Sequence, residues 1–413
     1  MKTTIKAVLS AWADVVYIWR REMKTVFHDE GVLIFFILVP IIYPLLYGFI
    51  YNPEVVREVP IIAVDESHSS AGREFLRRLD ATPDVHIVAH ATNMGEVRRY
   101  MQEHKAYGAV RIPSDFSSRL YRGERTVVGV YADMSGMLYY KGLLMAATGV
   151  SLEMNRHIKV ERVPGATEAQ GELLSNPIRY SEVNLFNPTA GYATFLVPAV
   201  LILILQQTLL LGIGMSVGTD RDRNRFHDLV PINRHFASSV CIVTGKAMCY
   251  MLIYIVMSFW LLFLVPKFFG YVQIGHVADL AAFVLPFLLA SVFFAMTLSY
   301  FVRERETSML LFVFTSVPFL FLSGISWPQF SIPEGWRWFS WLIPSTFGVN
   351  AFVRINSMGA TIHQVEPLIN ALWIQAFVYA LIAAALYKRQ IYLCRRHIIE
   401  AWKRQKARSF IAR

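Results

Sequence analysis

Charge is scarce in this chain of 413 residues: only 17% are Asp, Glu, Lys or Arg, against about 25% in an average soluble domain. That scarcity excludes a disordered chain, which needs high polarity and charge, and it argues against a single water-soluble globule. Cysteine is scarcer still. Cys241, Cys249 and Cys394 are the whole complement, and none lies in the long polar segment 52–189, so no disulfide framework is implied. No GxxxxGK[ST] loop is present, and the nearest approach, Thr244-Gly245-Lys246, lacks the upstream glycine. The chain therefore has no phosphate cradle of the P-loop kind. HExxH, CxxC and GxSxG are also missing and the 11 histidines are scattered, which removes the usual metal and acyl-transfer signatures.

What is present is apolar. Hydrophobic residues make up 55% of the chain and the mean hydropathy is +0.40. Six apolar stretches stand out, near 31–51, 190–217, 240–266, 280–302, 308–327 and 368–388, each close to the roughly 20 residues that cross a hydrocarbon layer as helix. The expected fold is an α-helical polytopic membrane protein with six transmembrane helices and an α/β domain inserted at 52–189. The first 30 residues lack the short apolar core and cleavage site of a signal peptide, so the amino terminus is expected to stay in the cytoplasm.

The net charge is +10, and its location decides what it means. Segment 52–189 holds 16 Lys/Arg against 17 Asp/Glu, whereas 388–413 holds 9 against 1. Among short loops, those assigned to the cytoplasm carry 20 Lys/Arg; the opposite side carries only Lys267, Arg337 and Arg354. The positive-inside rule then puts both termini and the basic tail 389–413 in the cytoplasm and 52–189 outside it. The basic excess is explained by one membrane face, and nucleic acid is not an expected partner.

Before the first span, Ile5, Val8, Leu9, Trp12, Val16, Trp19, Met23 and Phe27 recur every three or four residues, the pattern of an amphipathic helix lying at the membrane surface over 1–30. In the insertion, β-rich runs at 59–64, 85–89, 107–112 and 126–131 alternate with helical patterns at 71–80, 94–104 and 114–122, which implies a partly parallel sheet. Asp65, Ser67, Ser69 and Ser70 are expected to cap the first of those helices, the alternative being that they line a site at a strand's carboxyl end. The stretch 328–366 mixes tryptophans with Pro328, Pro333 and Pro344, a composition suited to a re-entrant or interfacial segment.

Ionisable residues are nearly absent from the spans; Lys246 sits near the start of the third, where it is expected to snorkel to the interface. An ion-coupled carrier usually needs intramembrane charges, so energy for any pumping is expected from another subunit. Gln206, Gln207, Thr315 and Ser316 are candidate pathway-lining residues, with plain interhelical hydrogen bonding as the alternative. The cytoplasmic loop 218–237 concentrates Asp220, Arg221, Asp222, Arg223, Arg225 and Asp228 beside Phe226 and Leu229, a charged patch with an apolar edge suited to orienting a partner.

The order of motifs resembles the permeases of type-2 ABC exporters, specifically the branch with a large domain between the first two spans. The resemblance rests on Ile61-Ile62-Ala63-Val64-Asp65, on Pro113-Ser114-Asp115-Phe116, on Phe186-Asn187-Pro188 and Phe195-Leu196-Val197-Pro198, and on Ser323-Gly324, Pro328, Pro333, Trp338, Pro344, Arg354 and Gly359. The loop after the second span departs from the family's usual Arg-Glu-x-x-x-Gly-Thr-x-Glu-x-Leu: Asp220 to Leu229 keeps the charge and the leucine but not the Gly-Thr pair. The resemblance implies a subunit of an inner (plasma) membrane exporter; the apolar, aromatic-rich bundle suits small amphipathic molecules or lipids as cargo, with bilayer contact as the alternative reason for that composition. It implies a second permease chain, identical or closely related, and cytoplasmic ABC ATPase subunits that would carry ATP and Mg, with no cofactor in this chain; a periplasmic adaptor is a further candidate partner. The rival reading is a membrane-anchored sensor or assembly scaffold whose α/β domain binds a ligand and whose bundle moves nothing.

Overall fold

The computed structural model describes residues 2–161, 183–188, 190–222 and 239–411, with side chains described over 9–159, 183–188, 190–222 and 239–393. The chain divides into two compact units: residues 1–54 with 184–413, and residues 55–183.

The second unit is an α/β layer structure. Its elements are β1 (Val59–Asp65), α3 (Ser70–Asp80), β2 (Val85–His90), α4 (Met94–Gln102), β3 (Gly108–Ile112), α5 (Phe116–Arg122), β4 (Gly129–Ala132) and α6 (Met137–Glu161); α1 (Lys2–His28) and α2 (Glu30–Ile50) precede them in the chain. The sheet order is β2-β1-β3-β4, with β1 parallel to both neighbours and β4 antiparallel to β3. Central β1 reads as an unbroken apolar run because both of its faces are covered. Val59, Ile61 and Ala63 pack with Phe75, Leu79 and Leu143, while Ile62 and Val64 pack with Val97 and Ala109. The sequence pattern placed β4 at 126–131; the strand is shorter and starts at Gly129. Ser69 caps α3 by accepting from the Gly72 N–H at 3.0 Å, and Asp65 ties the preceding turn through Ser67 and His68. Capping is thus the role Ser69 fills, with Asp65 and Ser67 holding the turn before it.

On α3, Glu74 accepts from both Arg77 and Arg78 at 2.7–2.9 Å, and the two guanidiniums hold its carboxyl down at about 2 from an ordinary 4.5. A carboxyl whose folded pKa is depressed stabilises the fold above its unfolded pKa and loses that contribution as pH falls through the folded one. The stability of this unit is therefore expected to decline between about pH 4.5 and about 2. Acid unfolding followed by tryptophan-independent circular dichroism should show a shallower decline in Glu74→Gln; an identical profile would show that the trio contributes nothing.

The first unit is helical. Helix α1 (Lys2–His28) precedes α2 (Glu30–Ile50), and after the insertion come α7 (Tyr192–Asp222), α8 (Ser239–Phe269), α9 (Val277–Ser299), α10 (Arg305–Leu322), α11 (Glu334–Ser340), α12 (Pro344–Met358) and α13 (Glu366–Ile411). Among the described residues six helices are long and apolar enough to cross a membrane: α2, α7, α8, α9, α10 and the 366–393 part of α13. Helix α7 is apolar all round, as its position requires: it is buried along nearly its whole length. The stretch 328–366 folds into a 3-10 turn, α11 and α12; Trp336, Trp338 and Trp341 are exposed, whereas α12 is largely buried.

Two spans carry π turns next to prolines, Ile34–Leu38 before Pro40 and Trp260–Leu264 before Pro266. Proline removes an N–H and crowds the carbonyl four residues back, so the helix widens there. In α8 the carbonyl that Pro266 leaves without its N–H is that of Leu262, and the Gln273 side chain donates to it at 2.9 Å. Glu54 provides a second repair. Its carboxylate accepts from the N–H and hydroxyl of Thr194 at 3.1 and 2.6 Å, and its carbonyl accepts from the Tyr192 N–H at 2.8 Å. The end of α2 is thereby fastened to the orphan donors at the start of α7. Glu54→Ala is expected to cost about 1 kcal/mol, the worth of a helix cap, read as a lower thermal midpoint; an unaltered midpoint would deny the cap any weight.

Candidate functional site

The residues singled out in the loop after α7 can be followed as far as Asp222; Arg223, Arg225, Phe226, Asp228 and Leu229 lie outside the described residues. What surrounds the described part is a chain of charged contacts joining four segments of the bundle. It begins on α1, which packs along α8. The buried stripe of α1 is Val15, Ile18, Glu22 and Val26, spaced by three and four residues. The stripe read from the sequence adjoins it and divides: Leu9, Trp12, Val16 and Phe27 are exposed, while Trp19 and Met23 are half-buried against the core of the bundle. One apolar face therefore turns to the bundle and the adjoining one away from it, and the buried one contains a carboxylate.

Gly245 is what lets α1 come so close. A Cβ at this position would stand 2.9 Å from both Ile18 Cβ and the Val15 carbonyl oxygen. One residue later, Lys246 is only 3% exposed and its ammonium donates to Glu22 at 3.0 Å; Glu22 is 5% exposed. Tyr250, one turn along α8, donates its hydroxyl to the same carboxylate. The expectation that Lys246 snorkels to the interface is thus corrected: it lies inside the bundle because a partner meets it there. An isolated buried ammonium would cost several kcal/mol, and pairing with further hydrogen bonds is the condition for keeping it.

From Lys246 the chain runs to α7, where Asp220 Oδ2 stands 3.9 Å from the ammonium. Arg221 turns the other way and donates to the carbonyls of Tyr300, at 2.9 Å, and Val302. These carbonyls follow the end of α9, where a cation is favoured by the helix dipole and orphan acceptors. Asp222 accepts from the Arg305 N–H at 3.3 Å, and the Arg305 guanidinium reaches Asp29 at 3.2 Å. Asp29 caps α2 through the N–H groups of Gly31 and Val32. Glu22, Lys246, Asp220 to Asp222, Arg305 and Asp29 thus form a clasp from α1 through α8 and α7 to the α9–α10 turn and back to the α1–α2 junction. Gly218 lets backbone meet backbone in it, because a Cβ there would be 2.8 Å from Arg305 Cα.

Sequence reasoning found the α7 end of this clasp and missed Glu22. The signal was available: Glu22 is four residues from Ile18 and four from Val26, on the stripe that a helix must bury if a lone membrane lysine is to have a partner.

The candidate pathway residues separate into two pairs. Gln206 is fully buried and donates to Ser345 at the start of α12, at 3.1 Å, while the buried Gln207 amide has no partner among the described residues. Thr315 and Ser316, on α10, are half-buried and bond back to the carbonyls of Phe312 and Val313. No hydrogen bond links the pairs among the described residues.

Chemically, the arrangement ties α1 and the ends of the spans together. No cluster of metal-ligating side chains occurs among the described residues. The fold and the clasp define a helical membrane protein of many spans in which the amino-terminal helix α1 is tied by charge to the spans. Residues 31–385 match the ABC-2 family transporter protein, so the chain belongs to that family and is a type-2 ABC permease. Membership implies an ABC ATPase as partner. No curated protein matches the chain.

Proposed function

We propose that this permease is the membrane half of an exporter that moves a small amphipathic molecule or lipid out of the cytoplasm or the inner leaflet. Two permease chains, identical or closely related, would pair in the inner (plasma) membrane with cytoplasmic ATPase subunits that carry ATP and Mg. Both termini and the loop 218–237 would face the cytoplasm, and the α/β unit would lie outside it, where it receives or hands on cargo. Gln206, Gln207, Thr315 and Ser316 would line the path.

The observation that carries this reading is the clasp. The flank of the loop, Asp220 to Asp222, is bound through Lys246 to Glu22 on α1 and through Arg305 to Asp29. A push on the loop by a partner would therefore move α1 and the α9–α10 turn together. ATP would drive the cycle through a difference in the ATPase's affinity for two permease states.

Asp222→Ala and Arg225→Ala are expected to leave membrane insertion intact and to weaken stimulation of ATP hydrolysis by cargo. Stimulation in both single variants and the double equal to that of the natural chain would remove the loop from the coupling path.

A further inference from the structure

The α/β unit contains a cavity that the transport reading does not use. It has a volume of about 760 Å³, within the 300–1,000 Å³ usual for small-molecule sites, and it opens beside the carboxyl ends of β1 and β2, where parallel sheets characteristically hold ligands. Helix α3 supplies one wall from a single face, with Arg73, Leu76 and Arg77 at helical spacing, and His68, Ile87 and His90 supply the others.

The charge of a fitting ligand follows from which lining groups are already engaged. Each lining carboxylate already accepts hydrogen bonds from within the unit. Asp65 Oδ1 accepts from the Ser67 N–H, the Ser67 hydroxyl and the His68 N–H at 3.0, 2.7 and 3.2 Å. Glu66 is clamped by both arms of Arg111 at 2.8 and 2.9 Å, which holds its carboxyl below the ordinary range. Asp80 accepts from the Ile87 N–H at 2.7 Å and stands 3.2 Å from His86. Among the cations, Arg77 is spent on Glu74.

Arg73 is different. Its one hydrogen bond goes to the His68 carbonyl at 3.0 Å, and no carboxylate lies within ion-pair distance of it among the described residues. The imidazoles of His68 and His90 likewise make no hydrogen bond or ion pair among the described residues. The donors left over are a guanidinium and two imidazoles, above a floor of Leu76, Ile87 and Ala91.

We infer that this cavity binds a molecule with an oxyanion head on a short apolar body, the head on Arg73 with His68 and His90 and the body over Leu76 and Ile87. A phosphate monoester suits the fork of the guanidinium, which presents several donors in one plane. The inference stands apart from the transport reading, since binding needs neither ATP nor a partner.

The test uses the full chain in zwitterionic nanodiscs and measures equilibrium binding of hexyl phosphate. Saturable binding is expected, stronger than that of inorganic phosphate, with hexylamine not competing. Arg73 is exposed, so Arg73→Ala should fold; it is expected to weaken binding by about tenfold or more, as loss of a charge-assisted hydrogen bond does. Arg99→Ala, on α4 outside the cavity, should bind as the natural chain does. Dihexanoyl phosphatidic acid in place of hexyl phosphate separates a lipid headgroup from a free monoester as the source: the tighter of the two names it. Equal affinity in Arg73→Ala and the natural chain, or hexylamine binding as well as hexyl phosphate, would overturn the assignment.

Discussion

Glu22→Ala is expected to destabilise the bundle by about 3–5 kcal/mol, because it leaves the Lys246 ammonium buried with its nearest carboxylate removed. The partner it loses lies at 3.0 Å, and the remaining one, Asp220, at 3.9 Å. The Tyr250 hydroxyl loses its acceptor in the same step. Lys246→Ala should be nearly as damaging, for the opposite charge is then stranded. The informative variant is the double replacement Glu22→Met with Lys246→Met. Replacing a buried ion pair by well-packed apolar side chains is commonly neutral or better for stability, so the thermal midpoint should return close to that of the natural chain. If the clasp transmits motion, ATP-driven export should stay low in that restored fold. A double variant with natural stability and natural export would reduce the ion pair to packing.

The second large effect is expected at Gly218. A side chain there would press on Arg305 Cα at 2.8 Å and its N at 2.9 Å, and both are backbone atoms that cannot rotate away. Gly218→Val therefore has to push α7 from the α9–α10 turn and stretch the contacts of Asp222 and Arg221 on the same turn. Overpacking of this kind costs about 1–3 kcal/mol, which a six-span bundle can absorb. Coupling should suffer more than folding. Cargo-stimulated ATP hydrolysis by the complex is expected to fall by about tenfold, the equivalent of about 1.4 kcal/mol, while the amount of chain in the membrane is unchanged. Full stimulation in Gly218→Val would mean that the turn need not sit against α7 for the cycle to run.

Much of the architecture was legible because the physics that builds it leaves periodic marks. Long apolar runs have few alternatives to a membrane span, and the unbroken β-rich run around Ile61 to Val64 marks a strand, which the fold covers on both faces. The antiparallel setting of β4 was not legible, since a short β-rich run does not say in which direction it pairs. Nor was the face of α1 that the bundle buries: the aromatic stripe dominates the pattern, while the buried stripe is interrupted by a carboxylate and so reads as polar. Glu22 and Lys246 lie 224 positions apart, and nothing local in either stretch names the other. Arg221 and Asp222 read in the sequence as part of a charged patch for a partner, and within the chain they also meet Tyr300, Val302 and Arg305. A charged patch on a loop signals that charges will be met and leaves open by what.

The glutamines of α7 carry a similar lesson. Gln206 and Gln207 were chosen as polar residues in an apolar helix, and that choice weighed interhelical bonding against cargo. Gln206 does bond across to Ser345, whereas the Gln207 amide is buried with no partner among the described residues. Burial without a bond costs free energy, so Gln207 is the better candidate of the two for contact with something that comes and goes.

The account depends above all on the chain being a conduit driven by another molecule. The most direct measurement reconstitutes it into liposomes with and without the ABC ATPase, supplies ATP on the face that bears the loop 218–237, and follows a fluorescent amphipathic cargo. ATP-dependent accumulation is expected only where both components are present, with none from the permease by itself. Accumulation against a gradient by the permease without the ATPase would contradict the account.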